Sequence, residues 1–372
     1  MFVMQDIVKF AETEDELHES FRLRYKVYVE GMGRLSDKGD HVQKELKDEL
    51  DEKARAIISI KNDEIAGTMR LFWGGDGGLA EKLKSAYQLE LFSHILTDEK
   101  ICIIERLMVV ESHRGSAIAL EMYQVAWKFV VKHGIELVLL DSEPHLLNSY
   151  LRLGFRAFGR TYSYPGIGLV IPMMFLPGDH EYLRSVRSPF ALLAKKEDLV
   201  NYQHTESLKE IAKSTTSVIT KGFVDSTDYL SHVLPINQAN PNQRPKIFDY
   251  FDDQEIERLL DKSHIISCSE GDHIINANNA AKTMFVLLSG LVQVQRPSGE
   301  IQAVIFPGEV IGEIAFFLHV PRTASIVAAT DNVKILSLDE ALMNRLLKYD
   351  APMASKILMN LCRALCFRVL NN

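Results

Sequence analysis

The sequence predicts two unlike domains in one chain. An α+β domain, a mixed sheet with helices, covers residues 1–190. A β-roll of jelly-roll type with flanking helices covers 246–372, and a helical linker and hinge fills 191–245. Three observations predict this. A hairpin pattern at 54–73 and a nearly continuous apolar run, Ile101–Val110 (ICIIERLMVV), lead into a long helix, as in a sheet with a buried central strand. Two apolar, β-branched runs flank a short segment of small and charged residues at Phe306–Ala329 (FPGEVIGEIAFFLHVPRTASIVAA). Between the two regions, Pro235–Pro245 (PINQANPNQRP) reads as an extended hinge. A length of 372 residues is compatible with two or three domains of about 150 each.

The first domain reads as follows. Residues 14–30 (EDELHESFRLRYKVYVE) form a helix with an acidic first turn, Leu17, Phe21, Tyr25 and Tyr28 sharing a face. Residues 40–53 are dense in charge and helical or looping. Ala54–Lys61 and Ile65–Trp73 are strands joined at Asn62-Asp63-Glu64, a hairpin signal, and Gly74–Gly78 breaks the chain. A short charged helix and a second apolar piece continue to Leu96. In the central strand Glu105-Arg106 interrupts the apolar run. Burying two charges is costly unless they pair or face a pocket. They read as a pair lining a site where the sheet splays, the competing reading being a structural ion pair at a sheet edge. Glu111–Ala119 (ESHRGSAIA) then opens a helix to about His133. Arg-Gly-small-small after a strand and before a helix is an anion-binding turn, with N–H groups near Gly115–Ala117 facing phosphate. A strand at Ile135–Asp141, a short helix at His145–Arg152, and strands at Phe155–Tyr162 and Leu169–Phe175 complete the domain.

In the linker, Ala191–Lys213 and Thr215–Val233 read as helices. The second domain enters through a helix at Ile247–Leu260 and ends in helices at Asp339–Leu347 and Ala351–Leu370. Its chemistry is concentrated at 312–324. Gly312 lets the backbone approach a ligand. Glu313 can accept from a pair of sugar hydroxyls, and Ile314, Ala315 and Phe316 start a short helix whose free N–H groups face an anion. Arg322 offers a planar fork that fits phosphate, and Thr323 adds a hydroxyl. The set is nucleotide-sized.

The formal charge of −8 supplies no global basic field for nucleic acid. Cys102, Cys268, Cys362 and Cys366 lie in apolar or helical contexts and read as reduced thiols. Cys362 and Cys366 are one helical turn apart, but no nearby His or Cys pair completes a metal site, so no metal is expected. The N-terminus lacks the basic and apolar regions of a signal peptide, and no run of about 18 apolar residues exists. A cytoplasmic protein without a transmembrane segment is the expectation.

Residues 312–324 resemble the phosphate-binding cassette of the cyclic nucleotide-binding domain family. Gly312, Glu313, Pro321, Arg322, Thr323 and Ala324 match in order and spacing, around the apolar turn of Ile314 and Ala315. The likeness extends to Glu270-Gly271-Asp272, Met284–Gly290 and Pro307-Gly308-Glu309. The resemblance implies that Glu313 holds the ribose 2′-hydroxyl and Arg322 the cyclic phosphate. It also implies that the terminal helices swing on binding and that a residue of the last helix caps the base. The regulator implied is a cyclic nucleotide, cAMP ahead of cGMP. Thr323 can meet either the phosphate or a guanine amino group.

The element order of the first domain resembles the GNAT acyltransferase superfamily. Arg114-Gly115-Ser116-Ala117-Ile118-Ala119 stands where that family cradles a carrier pyrophosphate, with Ala117 in place of the usual Gly. Tyr150-Leu151-Arg152-Leu153-Gly154-Phe155 stands where it often has a tyrosine acid. A closer likeness, over about residues 5–190, is to the autoinducer (acyl-homoserine lactone) synthases and N-acyl amino acid synthases. It rests on Arg24 and Tyr28, on Asp48 and Asp51, on Gly67–Leu71 with Arg70, on Glu105 and Arg106, and on the tail Gly154–Met174. Gly33-Arg34 stands where autoinducer synthases commonly carry a Trp, and Glu105 adjoins Arg106 rather than preceding it by a few residues. Both depart from the pattern of enzymes using an S-adenosylmethionine acceptor.

The resemblance implies N-acyl transfer from acyl-CoA or acyl carrier protein to an amine, either amino acid-like or a protein lysine. The thioester carbonyl would sit at the strand break near Leu107 and Val109, where backbone N–H groups can stabilise an oxyanion. Glu105 would take the amine proton and Tyr150 would protonate the leaving thiolate. Arg114, Gly115, Ala117 and Ala119 would contact the carrier. Arg24, Asp48, Asp51, Arg70 and Arg106 would bind acceptor or carrier. Lys195-Lys196 with Arg184 and Arg187 is a candidate basic patch for an acidic carrier protein. The competing readings are a cyclic-nucleotide-controlled protein lysine acetyltransferase and a non-catalytic sensor. A cyclic-nucleotide-type transcription factor is disfavoured because the sequence stops at Asn372, too soon for a helix-turn-helix after the sensor. A homodimer is compatible with either domain.

Overall fold

The computed structural model describes residues 6–164, 167–193, 202–219, 245–280 and 282–370. The chain divides into two compact units. The first comprises 1–141, 149–156 and 172–214, and the second 142–148, 157–171 and 215–372.

The first unit is organised by a mixed sheet. Strand β1 (Ile7–Phe10), which the sequence did not signal, pairs antiparallel with β2 (Arg55–Lys61). Helix α1 (Glu14–Tyr25) starts at a capping box, Thr13 and Glu16 satisfying one another's orphan N–H groups. The expected helix over 14–30 does not stay α: Lys26–Gly31 is a π-turn. Residues 40–53 make an Asp40–Glu45 bridge and a 3-10 turn, Glu49–Lys53, capped by Asp48. Strand β3 (Glu64–Trp73) follows β2 across Asn62 and Asp63, both at positive φ (52° and 65°), the turn that matches the twist of a tight hairpin.

After the short helix α2 (Glu81–Ala86), β4 (Ile101–Val109) runs antiparallel to β3. Helix α3 (Ile118–Lys132) returns the chain to β5 (Leu137–Ser142), which pairs parallel with β4. Helix α4 (Leu147–Leu153), then β6 (Arg156–Ala157), β7 (Tyr162–Tyr164) and β8 (Gly168–Phe175) follow along the chain, residues 142–148 and 157–171 of this stretch being counted with the second unit. The strand order is β1-β2-β3-β4-β5-β8-β6, with β7 on β8. The single strand expected at Phe155–Tyr162 is instead two short pieces. Gly159, at φ +59°, breaks the extended run between them.

Helix α3 lies against β3 because position 67 is glycine. A Cβ there would come within 2.9 Å of Ile118 Cγ2 and 3.0 Å of Met122 Cε. The apolar face of α3 also carries Trp127, which stacks on Phe190 and meets Phe175 edge-on, at centroid distances of 5.5 and 5.9 Å. Helices α5 (His180–Ser185), α6 (Phe190–Leu193) and α7 (Thr205–Thr215) complete the unit.

The second unit contains two antiparallel sheets. Its strands are β9 (Val218–Ile219), β10 (His264–Cys268), β11 (His273–Ile275), β12 (Thr283–Ser289), β13 (Val292–Gln295), β14 (Ile301–Ile305), β15 (Val310–Ile311), β16 (Ser325–Ala328) and β17 (Val333–Asp339). One sheet has the order β15-β12-β17-β10-β9 and the other β11-β16-β13-β14. Helices α8 (Asp253–Leu260), α10 (Glu340–Tyr349) and α11 (Ala351–Leu370) bury Ile256, Leu259, Leu346, Met353 and Ile357 with Met284 of β12. The entry helix expected at Ile247–Leu260 is a 3-10 turn, Lys246–Phe248, and then α8, whose start is fixed by the Asp252–Glu255 capping box. The helix expected from Thr215 gives way to β9, where β-branched Val-Ile takes the open edge of β10. The remainder of that stretch, the hinge at 235–244, and Lys195 and Lys196 lie outside the described residues. No helix among the described residues is long and apolar enough to cross a membrane.

Candidate functional site

The centre of the first unit is a bulge in β4. Thr68 faces Met108 and Arg70 faces Glu105, so Arg106 and Leu107 together oppose Met69. Arg106 adopts φ +52°, the left-handed region that a non-glycine residue enters only under local constraint. Recorded pairing of β4 with β5 ends at Ile103–Leu139, before the bulge. Neighbours on a regular strand point to opposite faces. The bulge re-aims them, and Glu105 and Arg106 join one cluster.

That cluster unites every charged residue expected around the acceptor. Arg24 Nη1 lies 2.7 Å from Asp51 Oδ1. Arg70 Nη1 lies 2.8 Å from Asp48 Oδ1 and 3.1 Å from Asp51 Oδ1, and its Nη2 lies 2.5 Å from Glu105 Oε2. Arg106 Nη2 donates to Asp48 Oδ2 at 2.5 Å. Asp48 and Asp51 are held in turn by their own capping box, so the 3-10 turn aims both carboxylates. Arg24 and Arg70 are 1% and 0% exposed, which makes this a buried network rather than a surface salt bridge.

The electrostatics follow from burial. Burial pushes the Asp48 and Asp51 carboxyls up, but the guanidinia of Arg70 with Arg106, and of Arg24 with Arg70, outweigh it and hold both below the usual aspartate range. Burial opposes the charged form of Arg70, and Glu105, Asp51 and Asp48 more than reverse that. Arg24, with less compensation, is pushed down to about 10 by burial. Arg106 Nη1 is buried and has no hydrogen-bond partner among the described residues.

Sequence reasoning missed Tyr87. Its hydroxyl donates to Glu105 Oε1 at 3.2 Å, from a side chain with no exposed surface. A tyrosine in a charged segment, eighteen positions before its partner, carries no spacing signal.

The other expected residues lie as follows. Leu107 and Val109 are half-buried on the bulged strand. Gly115 has φ +82°, so the turn before α3 requires glycine, and open space lies where its Cβ would be. Ala117 caps α3 from an exposed position, Ala119 sits in its first turn, and Arg114 is half-exposed, 3.9 Å from Glu111. Tyr150 packs edge-on against Phe155 and faces the buried Tyr123 hydroxyl. Burial, with Tyr150 adding to it, raises the Tyr123 pKa well above the usual value. Tyr28 packs on the cluster of Leu23, Val27 and Met108.

In the second unit the cassette forms around Arg322, which is 7% exposed. Its Nη1 donates to Gly312 O at 2.6 Å and its Nη2 donates to Thr283 O. Gly312, at φ +80°, begins the short helix α9 (Glu313–Leu318), and a Cβ there would fall 2.5 Å from Arg322 Nη1. Glycine is therefore needed for both conformation and room. Burial pushes the Arg322 guanidinium down to about 10, with Glu313 opposing the shift. Glu313, almost fully buried, accepts from Arg368 Nη1 at 2.5 Å, and Arg368 Nη2 reaches Val310 O at 2.9 Å. Ala315 is buried, Ala324 half-buried, and Ile314 and Thr323 are exposed. Arg368 of the last helix, the partner of Glu313, carried no signal of that contact in the sequence.

Residues 19–176 match the family model "N-acyl amino acid synthase FeeM", and residues 265–350 match "Cyclic nucleotide-binding domain". Among solved structures, FeeM, an N-acyl amino acid synthase from uncultured soil microbes, is 15% identical, covering 51% of this chain and 99% of its own, at a TM-score of 0.40. The CoA-dependent acyl-homoserine lactone synthase BjaI is 18% identical, covering 50% and 91%, at 0.38. A cyclic nucleotide-binding domain from Methylobacillus flagellatus is 21% identical, covering 42% and 85%, at 0.34. Residues 19–176 are thus an acyltransferase domain similar to the N-acyl amino acid synthases, joined in one chain to a domain of the cyclic nucleotide-binding type over 265–350.

Proposed function

We propose that this protein transfers an acyl group from a thioester carrier, acyl-CoA or acyl carrier protein, to the amine of an amino acid-like acceptor, and that a cyclic nucleotide bound to the second unit regulates the transfer. The observation that carries the reading is the convergence of Arg24, Asp48, Asp51, Arg70, Glu105 and Arg106 in one buried network at a strand bulge. The printed name of FeeM favours an amino acid acceptor, and that of BjaI favours CoA as carrier.

The chemistry assigns each group a task. The unpartnered Nη1 of Arg106 offers a donor for the acceptor's carboxylate. Glu105 takes the amine proton, directly or through a water, as nitrogen attacks the thioester carbon. Backbone N–H groups near Leu107 and Val109 stabilise the oxyanion, the carbon–sulfur bond breaks, and the thiolate takes a proton from Tyr150. Arg114, Gly115, Ala117 and Ala119 face the carrier. Incubation with butyryl-, octanoyl- or palmitoyl-CoA and a set of free amino acids tests this. The expected result is free CoA and an N-acyl amino acid by mass spectrometry. Hydrolysis without amide formation would overturn it.

For the second unit, Gly312, Glu313, Ile314, Ala315, Arg322, Thr323 and Ala324 form the nucleotide site, with Arg322 on the cyclic phosphate and Glu313 on the ribose, and cAMP ahead of cGMP as ligand. The nucleotide competes with contacts already made: Arg322 to Gly312 O and Thr283 O, and Glu313 to Arg368. Calorimetry with cAMP and cGMP should show binding that Arg322→Ala abolishes. Arg368→Ala frees Glu313 and should tighten binding severalfold, on the order of 1 kcal/mol for one exchanged charged hydrogen bond. Equal affinity in all three proteins would remove Arg322 and Glu313 from the site.

A further inference from the structure

We infer that Tyr87 is a positioning residue for acyl transfer, fixing Glu105 so that one oxygen stays directed at the acceptor amine. The inference rests on the reading of Glu105 as the base. Both oxygens of Glu105 are engaged: Oε2 meets Arg70 Nη2 at 2.5 Å, and Oε1 receives the Tyr87 hydroxyl at 3.2 Å. A carboxylate oxygen has two lone pairs, so each keeps capacity for one further proton donor. Arg70 alone would leave the carboxylate free to rotate about its single hydrogen-bonded oxygen. The second contact, from a different element, removes that freedom.

The segment that delivers Tyr87 supports a dedicated role. Tyr87 caps the C-terminus of helix α2, its N–H reaching Leu83 O, and Gln88 then turns at φ +51°. Leu83, Leu89 and Phe92 anchor the turn by burial. A phenylalanine would satisfy this packing equally well. The hydroxyl is the part that packing does not require, and a buried hydroxyl is stabilised where it finds a partner. The charged groups around Glu105 on the neighbouring elements are Arg70 of β3, Arg106 of β4, Arg24 of α1, and Asp48 and Asp51 of the 3-10 turn. Each already has a partner in the network, whereas Tyr87 contributes a neutral donor and leaves the charge balance unchanged.

The test is Tyr87→Phe in the full chain, assayed with the acyl-CoA thioesters and amino acids named above. Expected are a kcat about tenfold lower, the scale of one hydrogen bond to a charged acceptor, and an unchanged KM for the amino acid. In a Glu105→Gln background Tyr87→Phe should have no further effect. A merely structural tyrosine would lower the unfolding midpoint and reduce kcat as much in the Glu105→Gln background as in the wild type, and that result overturns the inference. So does an unchanged kcat. Absence of transfer by the wild type would instead remove the acyltransfer reading, and this inference with it.

Discussion

Glu105→Gln is expected to lower kcat for acyl transfer by about a hundredfold or more, the contribution of a positioned general base. The substitution keeps shape and removes only basicity. One oxygen still accepts from Tyr87 or Arg70, so the bulge and its network should persist. Removing a negative charge beside the fully buried Arg70 has a cost, but Asp48 and Asp51 still pair that guanidinium. The variant should therefore fold, bind acyl-CoA and fail at turnover. Steady-state kinetics checks this: a fall in kcat with KM for the acyl-CoA preserved supports the assignment. Undiminished kcat would move the base elsewhere in the cluster.

The largest expected effect on stability belongs to Arg70→Met. Arg70 is the hub of the network, pairing Asp48, Asp51 and Glu105. Methionine fills much of its volume but leaves those carboxylates short of positive charge. Breaking a buried pair by removing one partner costs about 3–5 kcal/mol. Denaturant unfolding of the full chain should show that loss in the first unit. The pH dependence follows from the depressed pKa values of Asp48 and Asp51. Their contribution is complete above the unfolded aspartate pKa of about 4 and is lost as pH falls through their lower folded values. Wild-type stability should decline in that acidic window. In Arg70→Met the decline should be shallower, because protonation then relieves repulsion. A variant as stable as wild type with the same acid profile would contradict the network's role.

What the sequence disclosed here is what local pattern can carry. The Gly-Glu and Pro-Arg elements of the cassette lie within a dozen positions, so their chemistry was legible at once. The β2–β3 hairpin was legible because Asn62-Asp63 accepts positive φ. The charges of the first unit were legible one by one. That they form a single cluster depends on the bulge at Arg106, which alternation along a strand cannot foretell. Tyr87 and Arg368 escaped for a related reason: each acts through a tertiary contact with no fixed spacing to its partner. Strand β1 is too short to announce itself, and the extended pattern after Phe155 conceals the break that Gly159 makes at positive φ.

The most direct test of the account is mass-spectrometric detection of N-acyl amino acid made by the purified wild type from acyl-CoA, with and without added cAMP. The account expects amide product, a rate that changes when cAMP is added, and a rate in Arg322→Ala that does not respond to it. Absence of amide product under both conditions, with the acyl-CoA left intact, would contradict it.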